Sequence, residues 1–295
     1  MVVKLNVGVM QIFNELPLVL KILTGVFVFL LGSCIGSFMN VCIWRIPLGE
    51  SVIFAPSHCV KCHYQIKWYE NIPIFSYLML RGRCSNCKEP YTSRYFWVEL
   101  VCGLLFLGLF VQALKFPNAG LVMLPEGFIG VFLAVCTFFI DLKHRRIPDK
   151  ITISVMIMSV LAAFLLPGSW NLANHWLSFA FSLGSLFIGG GILLLFAWAG
   201  EKILQADVMG GGDIKFVAAV AALTGLIGTF FVLLISSVAA SLVGVWLILR
   251  HRGTLKSSLP YGAFMAAVLI FWLFRYYVAW ILNTLGVISF DVQLL

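Results

Sequence analysis

Long apolar runs alternate with short polar, turn-rich segments along most of this chain. An α-helix needs about 20 apolar residues to cross the ~30 Å hydrocarbon core of a bilayer. On that criterion the pattern predicts spans at about 18–44, 96–115, 122–142, 150–167, 176–199 and 260–284. The run from Phe216 to Leu249 is too long for one crossing, and Thr224-Gly225 and Gly228-Thr229 offer it a turn. It divides into a short sixth helix from about 213 and a seventh from about 230. The expected fold is an all-α polytopic membrane protein of about eight transmembrane helices, with both termini on one side. One long polar interruption divides the chain into an N-terminus and first helix (1–44), a small polar domain (45–98) and a helical membrane domain (99–295). The stretch Pro17 to Trp44 is too long for a signal-peptide core and lacks a small-residue cleavage site, so it is expected to remain as a span.

Composition agrees. Of 295 residues, 61% are hydrophobic and only 11% charged, whereas a soluble domain carries about 25% charged residues. The net charge of +8 could suggest nucleic acid, but the basic residues are clustered at the ends of the predicted spans. Segments around 45–94, 143–150, 202–215 and 250–256 share one face and hold most of the Lys and Arg, while Lys4, Lys21 and Lys115 lie on the other. The basic face should be cytoplasmic. The charge then reports orientation in a lipid bilayer, and no nucleic-acid partner is expected.

Eight cysteines are present. Cys34, Cys42, Cys102 and Cys136 lie within spans, as small hydrophobes. The other four form the pairs Cys59-Val-Lys-Cys62 and Cys84-Ser-Asn-Cys87 in polar, turn-rich sequence. On a cytoplasmic face such thiols stay reduced. Two CxxC pairs at this spacing suit a tetrahedral Zn²⁺ site. Four protein ligands close the coordination sphere, so the zinc should be structural and should stabilise a domain too small for a large core.

Twelve acidic residues remain, and three fall at or inside span boundaries: Glu99, Asp141 and Asp213. An ionisable group at membrane depth is costly and points to function. Asp141 ends the third span, before Leu-Lys-His-Arg-Arg-Ile-Pro148-Asp149; Asp213 follows Met209-Gly-Gly-Gly212 and precedes Ile-Lys215. The glycines permit close backbone approach. If the third and sixth helices are neighbours, the two carboxylates can share a proton, activate a water and protonate a peptide carbonyl. Residue types alone also allow Asp141 to pair with Arg145 and Asp213 to be an N-cap. Glu99 reads as structural, paired with a base such as Arg94.

In order along the chain, Gly36-Ser-Phe-Met-Asn40, Pro56-Ser-His-Cys59, both cysteine pairs, Trp68-Tyr-Glu-Asn71-Ile-Pro73, Arg81-Gly-Arg-Cys84, Ser93-Arg94-Tyr95 to Glu99, Asp141 with Ile147-Pro148-Asp149, Met209-Gly-Gly-Gly-Asp213-Ile-Lys215 and Leu259-Pro-Tyr-Gly262 resemble the motifs of the bifunctional type IV prepilin peptidases. Met39 stands where Leu is usual, and Ala263 where Pro is common. The resemblance implies a GxGD-type aspartic protease using Asp141 and Asp213. Its substrates would be prepilin or type II secretion pseudopilin precursors, whose basic leader it cuts after Gly. It also implies N-methylation of the new N-terminal residue, commonly Phe, from S-adenosylmethionine. No strand–glycine-loop–helix nucleotide site is visible. The donor site is therefore not located, and the polar domain, which minimal peptidases of the family lack, is the candidate for it. Glu201 and Asp207 could receive a basic leader; as solvated loop charges they would do nothing. Lys143, Arg145 and Arg146 read as membrane anchors. The competing readings are a transporter or assembly factor with a zinc knuckle, a methyltransferase without peptidase activity, and a general intramembrane protease.

Overall fold

The structure is a computed structural model that describes residues 13, 15–53, 56–116, 123–167, 174–205, 209–250 and 259–285. Among these, helices and two isolated β-bridges are the only regular structure. The helices are α1 (Leu18–Arg45), the short α2 (Phe75–Met79), α3 (Arg94–Lys115), α4 (Leu124–His144), α5 (Asp149–Leu165), α6 (His175–Leu204), α7 (Gly211–Leu249), α8 (Tyr261–Leu273) and α9 (Arg275–Thr284). Five of them are long and apolar enough to cross a membrane, and the bent pair α8 and α9 makes a sixth candidate. The protein is a multi-pass membrane protein. Its outward faces carry large apolar side chains, among them Leu194, Phe196, Ile227 and Phe230, as expected of surfaces solvated by lipid tails.

Four of the eight expected segments differ: α5, with 17 residues, is not among the candidate spans, the sixth and seventh form one broken helix, and the eighth is bent. The 39 residues of α7 would extend roughly 58 Å as one straight helix, far beyond the bilayer core. The break falls at Gly225, with φ 73° and ψ 178°, inside the turn the sequence suggests and earlier than residue 230. The segment 260–284 is not one straight helix: α8 and α9 are bent by 69° at Phe274. The reason lies in α9, which opens Arg275-Tyr-Tyr and carries Trp280. Arg275 lies over the rings of Trp272 and Tyr276. Such residues favour the membrane interface over its hydrocarbon.

The chain divides into two compact units, Ile12–Val111 and the part from Gln112 onward. In the first, α1 packs on α3 through small residues. A Cβ on Gly32 would sit 2.8 Å from the Cys102 carbonyl, and one on Gly36 would sit 3.0 Å from the Glu99 Cα. Spaced four apart on one face, they let two backbones touch, which is how helices associate where the hydrophobic effect is absent. Asn40 Nδ2 donates to the Tyr95 carbonyl at 3.0 Å. Arg45, expected to be a surface charge, is buried, and its guanidinium donates to the carbonyls of Ser51 and Pro56.

In the second unit α6 packs along α7, where Gly189 and Gly190 meet Ala221 and Ala218. Helix α8 packs against both α4 and α7, which touch each other only lightly. Helix α4 stops where Arg145 turns left-handed, φ 50°. Pro148 then caps α5, and Asn174 caps α6 by accepting the Trp176 N–H at 2.9 Å.

Gly36→Val should lower the thermal unfolding midpoint of detergent-solubilised protein, through overpacking worth about 1–3 kcal/mol. Gly184→Ala is the control, because a Cβ there meets nothing within 4 Å; it should leave the midpoint unchanged.

Candidate active site and metal centre

Asp141 lies in the last turn of α4 and is 5% exposed. Its Oδ2 accepts the Ala263 N–H at 2.9 Å, and the Gly262 N–H also bonds to it. These donors belong to the first turn of α8, where the dipole favours an anion, and the Ala263 N–H is shared with the Pro260 carbonyl at 3.1 Å. The sequence folds this way because Pro260 needs no N–H at the helix start and Gly262 leaves the approach open. A Cβ on Gly262 would lie 3.0 Å from Asp141 Oδ2 and 2.7 Å from Ile147 Cδ1. Tyr261 fixes the same turn from outside: its hydroxyl hydrogen-bonds Ser237 at 2.8 Å and Ser236 at 3.3 Å.

Asp213 is in the first turn of α7, after the N-cap Gly210. Its backbone N–H donates to the Gly210 carbonyl at 3.0 Å. Asp141 is near enough for its charge to act on Asp213. A Cβ on Gly212 would come within 3.2 Å of Ile147. Ile147 therefore sits between the glycine of one motif and the glycine of another. Lys215 Nζ binds Asp149 Oδ2 at 2.7 Å, joining the starts of α5 and α7. Helix α8 thus holds Asp141, and Asp213 lies within range of its charge.

The remaining sequence candidates fall elsewhere. Lys143, His144, Arg145 and Arg146 are exposed. Arg145 acts electrostatically on Asp141, but its backbone only closes the end of α4. Glu201 is exposed in the last turn of α6, and Asp207 lies outside the described residues. Glu99 does not pair with Arg94. Five residues along a helix are about 140° around it. Glu99 is instead buried, accepting the Ile74 N–H at 2.7 Å, with Ser37 beside it. The roles of Gly262, Ala263, Tyr261 and the Asp149–Lys215 pair were not assigned from sequence; all sit inside motifs, but motif order does not show which motifs meet.

The four cysteines converge. Cys59 and Cys87 sulfurs are 3.8 Å apart, Cys62 and Cys84 3.9 Å, and all four lie within 4.8 Å of one another. A tetrahedron with Zn–S bonds of ~2.3 Å has edges of about 3.8 Å, so the cluster fits zinc. The two knuckles are built alike. Cys59 N–H donates to the Tyr64 carbonyl and His63 N–H to that of Cys59; Cys84 N–H donates to Glu89 and Lys88 N–H to Cys84. His63 and Lys88 are both left-handed, φ 56° and 59°. Burial opposes ionisation of the Cys84 thiol, but the backbone N–H groups of Cys87 and Asn86 outweigh it and bring it down to about 6. In the same knuckle the Glu89 N–H favours the Cys87 thiolate, but burial and the neighbouring thiols push Cys87 up to about 12, so the lowered thiol of the pair is Cys84. The Lys61–Glu89 ion pair links one knuckle to the other.

Residues 30–113 match the bacterial peptidase A24 N-terminal domain, and residues 127–245 match the type IV leader peptidase family. Similar proteins include a prepilin leader peptidase/N-methyltransferase of Myxococcus xanthus, 34% identical over 80% of this chain and 67% of its own length. One of that name from Aeromonas hydrophila is 32% identical over 81% of this chain and 86% of its own. A type 4 prepilin-like proteins leader peptide-processing enzyme of Escherichia coli is 28% identical over 85% and 93%. No solved structure matches the chain. With both segments matched in order and relatives covered over most of their length, the chain belongs to the type IV leader peptidase family.

Proposed function

We propose that this protein is a prepilin leader peptidase and N-methyltransferase of the bacterial cytoplasmic membrane. Its basic face is cytoplasmic, following the distribution of Lys and Arg. The substrates are prepilins or pseudopilins, the partners that the relatives' names imply. Residues 1–44 supply the first helix, 45–98 the zinc-binding domain and 99–295 the peptidase bundle. The single observation that carries the peptidase reading is the Asp141 carboxylate. It is buried at the start of α8 and oriented by backbone N–H groups, with Asp213 within reach of its charge.

Asp141 and Asp213 act as one unit. Two carboxylates that meet at a substrate would share a proton. The ionised member takes a proton from a water as it attacks the scissile carbonyl, and the protonated member donates to the carbonyl oxygen. Fixing Asp141 Oδ2 against Ala263 leaves its other oxygen for the water. Placement at the end of α4 and the start of α7 keeps the pair at the edge of the apolar bundle. Water and the polar leader junction can reach it there, while the apolar stretch of a pilin stays in the bilayer.

Zinc is structural in this reading, held by Cys59, Cys62, Cys84 and Cys87. The methyl donor, S-adenosylmethionine, belongs to the unit Ile12–Val111. A groove of about 340 Å³ there is lined by Ser57, Asn71 and other polar and apolar residues. That volume and mixed lining fit a small-molecule site. Ser57 and Asn71 would hold the donor, which supplies an electrophilic methyl group when bound. Arg45 braces the wall through the Ser51 and Pro56 carbonyls.

Asp141→Asn and Asp213→Asn should each reduce cleavage of a co-expressed prepilin by at least about 100-fold, the usual scale of acid–base catalysis, read as a mobility shift. Full processing by either variant removes that aspartate from the mechanism. Gly262→Ala should lower the cleavage rate roughly 10- to 100-fold by displacing the Asp141 oxygen, with zinc content unchanged. Purified protein should carry one zinc per chain by elemental analysis. Cys84→Ser should lose it and render residues 49–93 sensitive to trypsin.

A further inference from the structure

The groove in the unit Ile12–Val111 has an inner wall with an unusual construction. Ser37, Phe38, Val41 and Arg45 line it from one face of α1, and Asn71 and Pro73 line it from the polar domain. Behind this wall stands Glu99, 8% exposed. Ser37 is common to both: it lines the groove and stands beside the Glu99 carboxylate. No cation is among the partners of Glu99 in the described residues.

The hydrogen-bond partner of Glu99 is the Ile74 N–H, and the backbone is strained to present it. Ile74 has φ 65° and ψ −53°, and Phe75 N–H donates to the Pro73 carbonyl at 2.6 Å. This is a three-residue turn of the rare positive-φ kind, centred on a β-branched residue that disfavours it. Such strain persists only where the surroundings over-determine it, and it concentrates at functional sites. On the facing helix Gly36 has no Cβ, so α1 can approach the Glu99 backbone. A buried carboxylate without a countercharge, reached from a groove through one hydroxyl, is complementary to a cation that arrives with its substrate.

We infer that Glu99, acting through Ser37, receives the free N-terminal ammonium of a cleaved pilin and takes its proton for methyl transfer. This rests on the methyltransferase reading given above. Phe38, Val41 and Pro73 offer an apolar surface to the side chain of the first residue. Glu99 accepts one proton from the ammonium by way of the Ser37 hydroxyl, which leaves the amine with its lone pair. The amine nitrogen gains a bond to the methyl carbon as the carbon–sulfur bond of the sulfonium donor breaks. Its electron pair stays on sulfur, and the donor leaves as a neutral thioether. Glu99 then returns the proton to water, one proton being released for each methyl transferred.

The test uses the full-length protein in detergent with co-expressed prepilin, read by intact mass of the pilin. Glu99→Gln keeps an oxygen for the Ile74 N–H and removes the charge. It should leave cleavage unchanged and lower the methylated fraction at least about tenfold, the scale of one charge-assisted hydrogen bond. Ser37→Ala should act in the same direction and more weakly. A second readout is binding of a fluorescent peptide with a mature pilin N-terminus against its N-acetylated form. The wild type should prefer the free amine, and Glu99→Gln should lose that preference while retaining zinc. Methylation by Glu99→Gln at the wild-type level overturns the inference, as does joint loss of cleavage and methylation. If the wild type itself leaves pilin unmethylated, the methyltransferase reading fails. The peptide preference then decides the inference separately, since a preference retained in Glu99→Gln refutes an amine site.

Discussion

A carboxylate at the boundary of an apolar bundle must find hydrogen-bond donors within the protein, because hydrocarbon supplies none. Asp141 finds them at the start of α8, and much of the second unit is arranged around that requirement. The turn must begin with Pro260, must lack a side chain at Gly262 and must aim the Ala263 N–H at the carboxylate. Tyr261 ties it to Ser236 and Ser237, which lie in α7 beyond the Gly225 break. The other end of α7 carries Asp213. One helix thus carries an aspartate near one end and, past its break, the anchor of the turn that orients the other aspartate. Ile147, wedged beside Gly212 and Gly262, keeps the spacing between them.

The unit Ile12–Val111 solves a related problem by different means. Its polar domain has almost no extended structure and only a few buried apolar residues. Cross-links hold it instead: four converging thiols, two matching knuckles, one ion pair and the carbonyl contacts of Arg45. A fold held by such cross-links tolerates a strained turn such as that at Ile74, because its stability does not depend on regular backbone geometry there.

The features legible in the sequence were those encoded locally. Runs of apolar residues mark α1, α3, α4, α5 and α6 to within a few residues, because crossing length is a property of one segment. The CxxC pairs show in their own spacing that their thiols can converge, and the cost of an acid at membrane depth marks Glu99, Asp141 and Asp213 as candidates. What could not be read depends on which segments meet. Pairing Glu99 with Arg94 assumed that a charge seeks the nearest opposite charge along the chain, whereas the helix turns them apart and an N–H from a distant loop takes the place. Arg45 looked like one more marker of orientation until the loop carbonyls around it appeared. The bend at Phe274 was hidden because apolar content continues across it, and only the interfacial character of Arg275, Tyr276 and Trp280 hints that the chain changes direction.

Position 263 shows what a single departure from a family pattern can mean at the candidate site. Where proline is common in these peptidases, this chain has alanine. The exchange is conservative in size and polarity, but not in hydrogen-bonding inventory: proline has no N–H, and the Ala263 N–H reaches Asp141. This enzyme holds its aspartate with a donor that a proline-bearing relative would have to replace by some other group. The two kinds of peptidase can share both aspartate motifs and still differ in how firmly the first carboxylate is held.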